Sequence, residues 1–577
     1  MSPSEEEFKP YQQHRARVQP VISEQACRTE ECEMELNIGV FMDGTGNNWE
    51  WIEEGQTLTQ QQRQKDSNVY RLFKAYPDDA YRGFFRIYVP GVGTPFEKIG
   101  DDDPGALGGG TGAGGDGRIN FALLQVLNSI RRLISNDSKR QFEDDTIKAL
   151  CRNGKRRYDS HGNPMPWPKG DAPSLQRVGM EKDGGLLRDP RDAQRRTFFR
   201  EQCGELAQIV AVGKPRIKRI VLDVFGFSRG AAHARVFCTW LAEIMEGDTL
   251  CGVPAEVRFL GVFDTVASVG LPNSVPGANG HFDWATPENL KIGAHVKRCV
   301  HYVAMHEQRA SFPLDTVRNP DGSMPGHCHQ WAFPGMHSDV GGGYTPDEQG
   351  RGPQQLNSQN LSQPALNNMN EAAQQALVPL DKELARESSV DGDYDPFDID
   401  PSLRQAYVDF MSESGTQSRR LRDWLLPYVS WRYQLKDRYV QLPWASRTKV
   451  EDELTALRDA NEGFLDDLAL FEAPKATAAR DVAKYGVTLG TLNQIRRRAQ
   501  LEEEASEVFE YVRKAAPVSP RIAALFADYV HDSYGGFTLV AGKHEPAGYL
   551  RYRRQYHGTS NALTWREDTE RDDVRLA

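Results

Sequence analysis

The sequence predicts an α/β fold: a mostly parallel sheet flanked by helices on both faces, with a large insertion and a mainly helical C-terminal region. Three observations carry that prediction. Runs of β-branched and aliphatic residues alternate with helix-period stretches, the pattern of strands buried on both faces. Several runs stop abruptly in glycine- and asparagine-rich turns. One run, "IKRIVLDVF", passes through Gly226, Phe227, Ser228, Arg229 and Gly230 into the helix-like "AAHARVFCTWLAEIME".

At 577 residues the chain exceeds one compact core, so two or three units are expected. Residues 1–33 are polar and charged and read as an arm. "LNIGVFM" then reads as a buried strand ending in "DGTGNN", and "FFRIYV" as a second strand ending in "PGVGT". The segment from Gly105 to Gly117 precedes a helix expected over about 119–134. It lacks the Gly-Lys-Ser/Thr ending of a phosphate cradle and does not directly follow a strand, so it reads as a loop beside a cleft.

Residues of about 136–200 form the expected insertion, rich in charge and turns. A helix near 200–212 and the strand before Ser228 resume the pattern. "VRFLGVF" reads as a strand ending at Asp264, and "KRCVHYVAM" as another ending near His306. The first large unit spans 34–380. From 381 to 577 the chain turns to charged helical material such as "EDELTALRDANEGFLDDLALFE" and "LGTLNQIRRRAQLEEEASEVFEYVRKAA", read as an appended region that contacts a membrane or covers the site.

Charge and composition exclude several classes. A net charge of −11 argues against nucleic acid as a partner. Its basic runs, "RNGKRR" and "RRR", read as solvated faces. No stretch approaches the roughly 18 apolar residues of a membrane span. The first twenty residues hold no apolar core, so the chain is expected to be made in the cytoplasm without a secretory signal and exported by a route that reads none. The eight cysteines are scattered without a C-x-x-C pair, which supports neither a zinc site nor a disulfide framework. His295, His301, His306, His327 and His329 are dense but lack metal-ligand spacing, so no metal and no cofactor are expected.

A Gly-x-Ser-x-Gly turn between strand and helix holds its serine on a strained elbow, the arrangement of the α/β-hydrolase nucleophile. Ser228 is therefore a candidate nucleophile; the bland alternative is a helix N-cap. A nucleophile needs a base, an orienting acid and an oxyanion hole, and a cap needs none of them. In this fold the residues come in the order serine, acid, histidine. Asp264 at a strand end and His337 in "WAFPGMHSDVGGGY" supply that order, the histidine in a glycine-rich loop expected to be free of regular structure. Asp339 is the rival acid, or else a turn-capping carboxylate. The oxyanion donors expected are the backbone N–H of Arg229 and that of Gly44 or Thr45 in "DGTGNN". Asp43 is either a catalytic or metal carboxylate or the residue that holds this loop in shape. The run His531, Asp532, Ser533 reads as structural, since adjacent residues do not form one triad.

Together "FMDGTGNN", "PGVGT", the glycine segment, "GFSRGAAHAR", "GVFDTVASVG" and "FPGMHSDVGGGY" resemble the signature series of the type VI secretion phospholipase effectors of the first lipase family and related α/β-hydrolase domains, over roughly Leu36 to Leu380. The resemblance implies a triad of Ser228, Asp264 and His337 and phospholipase A activity. It also implies delivery by a contractile apparatus into a rival bacterium's periplasm. Its partners would be the target cell's phospholipid membrane, a cognate immunity protein and a spike or tube component. Two other readings stay open: a soluble serine esterase on a small-molecule ester, and a non-catalytic docking module on the same fold.

Overall fold

The computed structural model describes residues 33–48, 66–102, 114–152, 171–180, 193–268, 281, 283–387, 395–414, 420–472, 503–537, 547–563 and 575–576. The N-terminal arm, most of the glycine segment, parts of the insertion and residues 489–502 of the second C-terminal helical stretch lie outside these residues.

The strands in chain order are β1 (Glu33–Met42), β2 (Phe84–Val89), β3 (Arg216–Phe227), β4 (Thr249–Leu250), β5 (Val253–Phe263), β6 (Cys299–Ala304), β7 (Leu314–Asp315), β8 (Cys328–Phe333), β9 (Gln555–Tyr556) and β10 (Arg575–Leu576). The main sheet runs β10-β8-β6-β5-β3-β1-β2, with β4 antiparallel on β5 and every other pairing parallel. The chain moves from β1 outward to β2, then returns past β1 to β3 and continues the other way. The strand order reverses between β1 and β3, and in open parallel sheets the crevice at such a reversal is where sites form. The loop after β1 is "DGTGNN", and the residue after β3 is Ser228.

Alternation along the strands separates two cores. Leu36, Ile38 and Val40 of β1 and Ile220, Leu222 and Val224 of β3 face one side, packed with helices Gly115–Leu133 and Arg229–Ile244. Phe41, Phe225, Phe227, Phe259 and Phe263 face the other, where Phe41 and Phe225 stack with ring centroids 5.1 Å apart. Fully burying one such side chain contributes roughly 1.5–3 kcal/mol. Helix Asn68–Ala75, capped by the Ser67 hydroxyl accepting from Tyr70 N, covers this face together with Ser362–Gln375.

Several elements depart from the sequence reading. Strand β8 carries no continuous apolar run to mark it in the sequence, since "CHQWAF" mixes polar and apolar residues; it lies next to the sheet edge, with His329 and Trp331 partly exposed. Within the expected insertion, helices Asp144–Arg152 and Asp171–Arg177 bury Ile147, Leu150 and Leu175 in the first core. The helix read at 200–212 begins at Ala193.

The expected boundary near Leu380 falls inside a continuous core. Leu380, Leu403, Tyr407, Phe410, Trp424, Tyr428, Phe464, Phe526 and Tyr549 belong to the same cluster as Phe225 and Phe263. The C-terminal helices thus share the core that lies on this face of the sheet, where helices Asn68–Ala75 and Ser362–Gln375 cover the strands. Helix Glu451–Glu472 coincides with the stretch read from the sequence. Among the described residues no helix is long and apolar enough to cross a membrane, and no cluster of His, Cys, Asp and Glu is arranged to hold a metal ion.

Candidate active site

Ser228 occupies φ +59°, ψ −126°, outside the regions that ordinary side chains adopt. Such a conformation costs about 1–3 kcal/mol and persists only where its surroundings impose it. The flanking glycines show how. A Cβ on Gly226 would lie 2.5 Å from the Gly230 carbonyl oxygen, and one on Gly230 would lie 2.2 Å from the oxygen of Met42 and 2.3 Å from that of Asp43. The elbow therefore fits only with both glycines present. As a helix cap Ser228 is unsuited: its side chain makes no capping hydrogen bond, and its φ is far from the extended value of a cap.

Pairing of Phe227 with Phe263 sets the next residues, Ser228 and Asp264, side by side at the carboxyl ends of β3 and β5. Ser228 N donates to Phe263 O at 3.0 Å, and Asp264 N donates to Tyr302 O at 2.7 Å. Asp264 is fully buried and also left-handed, at φ +41°. Its Oδ1 accepts from Ala304 N at 2.8 Å and from Arg553 Nη1 at 2.7 Å. Its Oδ2 accepts from Arg553 Nη2 at 2.8 Å and pairs with His337 Nδ1 at 2.5 Å. Burial alone would raise this carboxyl's pKa, but the guanidinium of Arg553 and the His337 ring overcome it and hold the group well below the usual carboxylate range.

His337 is not in an irregular loop. It opens the short helix His337–Gly341, because the Asp339 carboxylate accepts from Met336 N at 2.9 Å and caps that turn. The imidazole packs on Phe227 (centroids 4.7 Å apart) and against the edge of Phe312 (5.0 Å). Its Nδ1 faces a carboxylate, so that nitrogen carries the proton of the neutral ring. Among the described residues its buried Nε2 has no hydrogen-bond partner, which leaves it as an acceptor. Burial lowers the His337 pKa against the opposing pull of Asp264, which favours this neutral, proton-accepting form.

The rival acid is committed elsewhere. Asp339 accepts from His531 Nδ1 at 2.6 Å, and the His531 ring stacks on Tyr344 with centroids 3.8 Å apart. In the loop after β1, buried Asp43 accepts from Gly44 N at 2.8 Å and from Tyr88 Oη at 2.6 Å. Desolvation nevertheless pushes its carboxyl up to about 6. The Gly44 N–H is thus engaged by its own neighbour. Thr45 next to it has a buried Oγ1 without a partner among the described residues. Arg229 is the first residue of its helix, so its N–H is not used in that helix's own ladder.

Sequence reasoning missed a second layer of groups. Glu307 accepts from His337 N at 3.2 Å, from Arg309 Nε and Nη2 at 2.9 Å each, and from Ser533 Oγ at 3.2 Å. Burial opposes its ionisation, but the Arg309 guanidinium draws it down to about 2. Arg553, His531 and Ser533 reach the site from the far end of the chain, with 289 positions separating Arg553 from Asp264. The one available signal was the polar density of "HDSYGG", whose individual contacts no spacing rule specifies.

A mostly parallel sheet, with a serine on a strained elbow at its reversal point and a buried Asp–His pair contributed from beyond the ends of β5 and β8, defines an α/β fold with a candidate site at the carboxyl ends of its strands. Residues 245–372 match the model of a family described as "T6SS, Phospholipase effector Tle1-like, catalytic domain". The chain is thus similar to the Tle1-like phospholipase effectors of type VI secretion over a segment that contains Asp264 and His337 and begins just downstream of Ser228. Among solved structures, an uncharacterized protein from Pseudomonas aeruginosa shares the fold, with 24% identity, a TM-score of 0.66, and coverage of 96% of this chain and 83% of that one. The Tle1 effector bound to the VgrG spike from the type 6 secretion system aligns at 23% identity over 55% of this chain and 52% of its own, with a TM-score of 0.26. No curated protein matches the chain.

Proposed function

We propose that the protein is a serine lipolytic hydrolase of the phospholipase A type, acting on membrane phospholipid as an antibacterial type VI secretion effector. The observation that carries this reading is the 2.5 Å pairing of His337 Nδ1 with buried Asp264, which leaves Nε2 open as an acceptor beside the Phe227–Ser228 elbow. The match of residues 245–372 to the Tle1-like catalytic domain supports the substrate class and the secretion route.

In this reading Ser228 Oγ attacks the acyl carbonyl carbon of a phospholipid while His337 Nε2 takes its proton. Asp264 fixes the ring's tautomer and stabilises the imidazolium. The backbone N–H groups of Arg229 and Thr45 meet the oxyanion, with Gly44 giving the loop its close approach; losing one such donor costs about 10²–10³ in rate. Collapse of the tetrahedral intermediate breaks the ester bond, and His337 protonates the departing lysophospholipid oxygen. Water, deprotonated by the same ring, then releases the fatty acid from Ser228. No metal or cofactor takes part in these steps. A carrier spike or tube component, delivery to the target periplasm and a cognate immunity protein belong to the same proposal.

The test is fatty-acid release from vesicles of phosphatidylethanolamine and phosphatidylglycerol labelled at one acyl position, run beside Ser228→Ala. Release abolished in the variant is the expected result, and the label assigns the acyl position. Undiminished hydrolysis by Ser228→Ala would overturn the reading; hydrolysis of short-chain esters but not of vesicles would move the substrate to a soluble ester.

A further inference from the structure

We propose that Arg553 is a positioning residue of the hydrolytic site: its guanidinium clamps both oxygens of Asp264, so that the acid and base become aligned only when the segment 547–563 is docked. This rests on the reading of Ser228, Asp264 and His337 as a triad.

All three nitrogens of the guanidinium donate. Nη1 and Nη2 take the two carboxylate oxygens of Asp264 at 2.7 and 2.8 Å, and Nε donates to Phe312 O at 2.7 Å. Phe312 is the residue whose ring packs edge-on against His337. One side chain thus ties the acid to the wall of the base's pocket. A bidentate fork fixes direction as well as distance, which a single ammonium cannot do.

The segment that carries Arg553 is itself fastened. β9 pairs with β7 in parallel, Leu314 N donates to Arg554 O at 2.8 Å, Thr316 N donates to Tyr556 O at 3.0 Å, and Thr316 Oγ1 pairs with His557 Nδ1 at 2.8 Å. The neighbouring stretch adds Ser533 on Glu307 and His531 on Asp339. Three carboxylates around His337 therefore take partners from one late part of the chain.

Charge gives the arrangement a kinetic signature. Asp264 faces Arg553 and His337 directly, with His301 close by, its Nε2 accepting from Thr265 N at 3.1 Å. His337 faces Asp264 through its ring and Glu307 through its main chain, and Glu307 is neutralised by Arg309. Arg553 balances the Asp264 charge, so the imidazolium gains less from the carboxylate and the ring stays neutral to lower pH. Removing the cation leaves an uncompensated carboxylate against the ring and favours its protonation.

The experiment measures kcat and KM against pH for the full-length protein on p-nitrophenyl butyrate, a soluble ester, with Ser228→Ala as background and thermal melts to confirm folding. Arg553→Gln is expected to lower kcat roughly hundredfold with little change in KM, the cost of a misplaced catalytic group. Its acid limb is expected to move up by about one pH unit. Arg553→Lys keeps the charge without the fork, so its limb should stay in place while kcat falls. A wild-type kcat in either variant, or an acid limb in Arg553→Gln that coincides with wild type, overturns the proposal. If Arg553→Gln does not fold, the kcat of Arg553→Lys decides. Undiminished hydrolysis by Ser228→Ala sinks the triad reading instead, whereas Ser228-dependent hydrolysis with an unmoved limb sinks only the role of Arg553.

Discussion

Asp339 lies two residues from His337, yet its carboxylate is bonded to His531, 2.6 Å from that ring's Nδ1. Two Asp–His pairs therefore stand side by side, Asp264 with His337 and Asp339 with His531, and they do not exchange partners. The first pair leaves a buried imidazole nitrogen open. The second has its ring stacked flat on Tyr344 and its aspartate capping the helix that starts at His337.

The two aspartates should separate on mutation. Asp264→Asn disturbs the tautomer and is expected to cost on the order of 10⁴ in kcat, the scale seen for such an acid elsewhere. Asp339→Asn is expected to stay within about tenfold of wild type in kcat and to lower thermal stability, since it weakens a cap worth about 1 kcal/mol. Steady-state kinetics with thermal melts on both variants decides; equal losses of kcat would mean that the pairs share the work.

Backbone packing at the elbow makes a steric prediction. Gly230→Ala forces a methyl group to within 2.2 Å of Met42 O, so the loop after β1 and the turn after β3 must move apart. Destabilisation of about 3 kcal/mol is expected, at the upper end for overpacking, with loss of hydrolysis. A chemical denaturation midpoint unchanged from wild type would show that the elbow yields more easily than its contacts imply.

The pH dependence of activity follows from His337. The ring accepts a proton only when neutral, and burial lowers its folded pKa below 6.5. Activity should therefore persist below pH 6.5 and fall only as pH drops through that depressed value. A kcat/KM profile on a soluble ester reads this directly; an acid limb centred above 6.5 would contradict the neutral resting ring.

Asp43 makes the matching prediction for stability. Its folded pKa, about 6, lies above its ordinary 3.8, so between these values the folded state binds more protons than the unfolded state. Stability must then decline as pH rises through that window, by up to about 3 kcal/mol from this group. Asp43→Asn should flatten this part of the stability profile. Melts from pH 4 to 7 giving parallel curves for the variant and wild type would remove Asp43 as the source.

What could be read from the sequence follows a physical divide. The later parts of strands β1, β2, β3, β5 and β6 are mostly apolar, since a doubly covered parallel sheet leaves little room for polar residues, and the exceptions Asn37, Asp223 and His301 are buried. Ser228 and Asp264 stand where such runs end, and glycines mark the turn that needs them. Strand β8 places His329 and Gln330 among apolar residues, so no continuous apolar run marks it. The C-terminal helices looked detached because their charged surfaces outnumber the aromatic residues beneath. Even a guanidinium is buried there, with Arg432 lying 3.4 Å from the Tyr439 ring centroid and 3.2 Å from Asp532. Arg553 is invisible for another reason: its role resides in a contact across 289 positions, which neither composition nor period encodes, and Glu307 meets His337 through a main-chain contact that no spacing rule specifies.

The clamp from residue 553 onto residue 264 also sets an order of events during synthesis. A ribosome extends the chain from its N-terminus, so Ser228, Asp264 and His337 all emerge long before the side chain that aligns the second of them. The growing polypeptide therefore passes through lengths that hold the proposed triad but not yet the clamp. On the reading proposed above, a chain stalled on the ribosome before residue 553 emerges is expected to hydrolyse esters far more slowly than the released chain, so synthesis of the late segment acts as a safety catch.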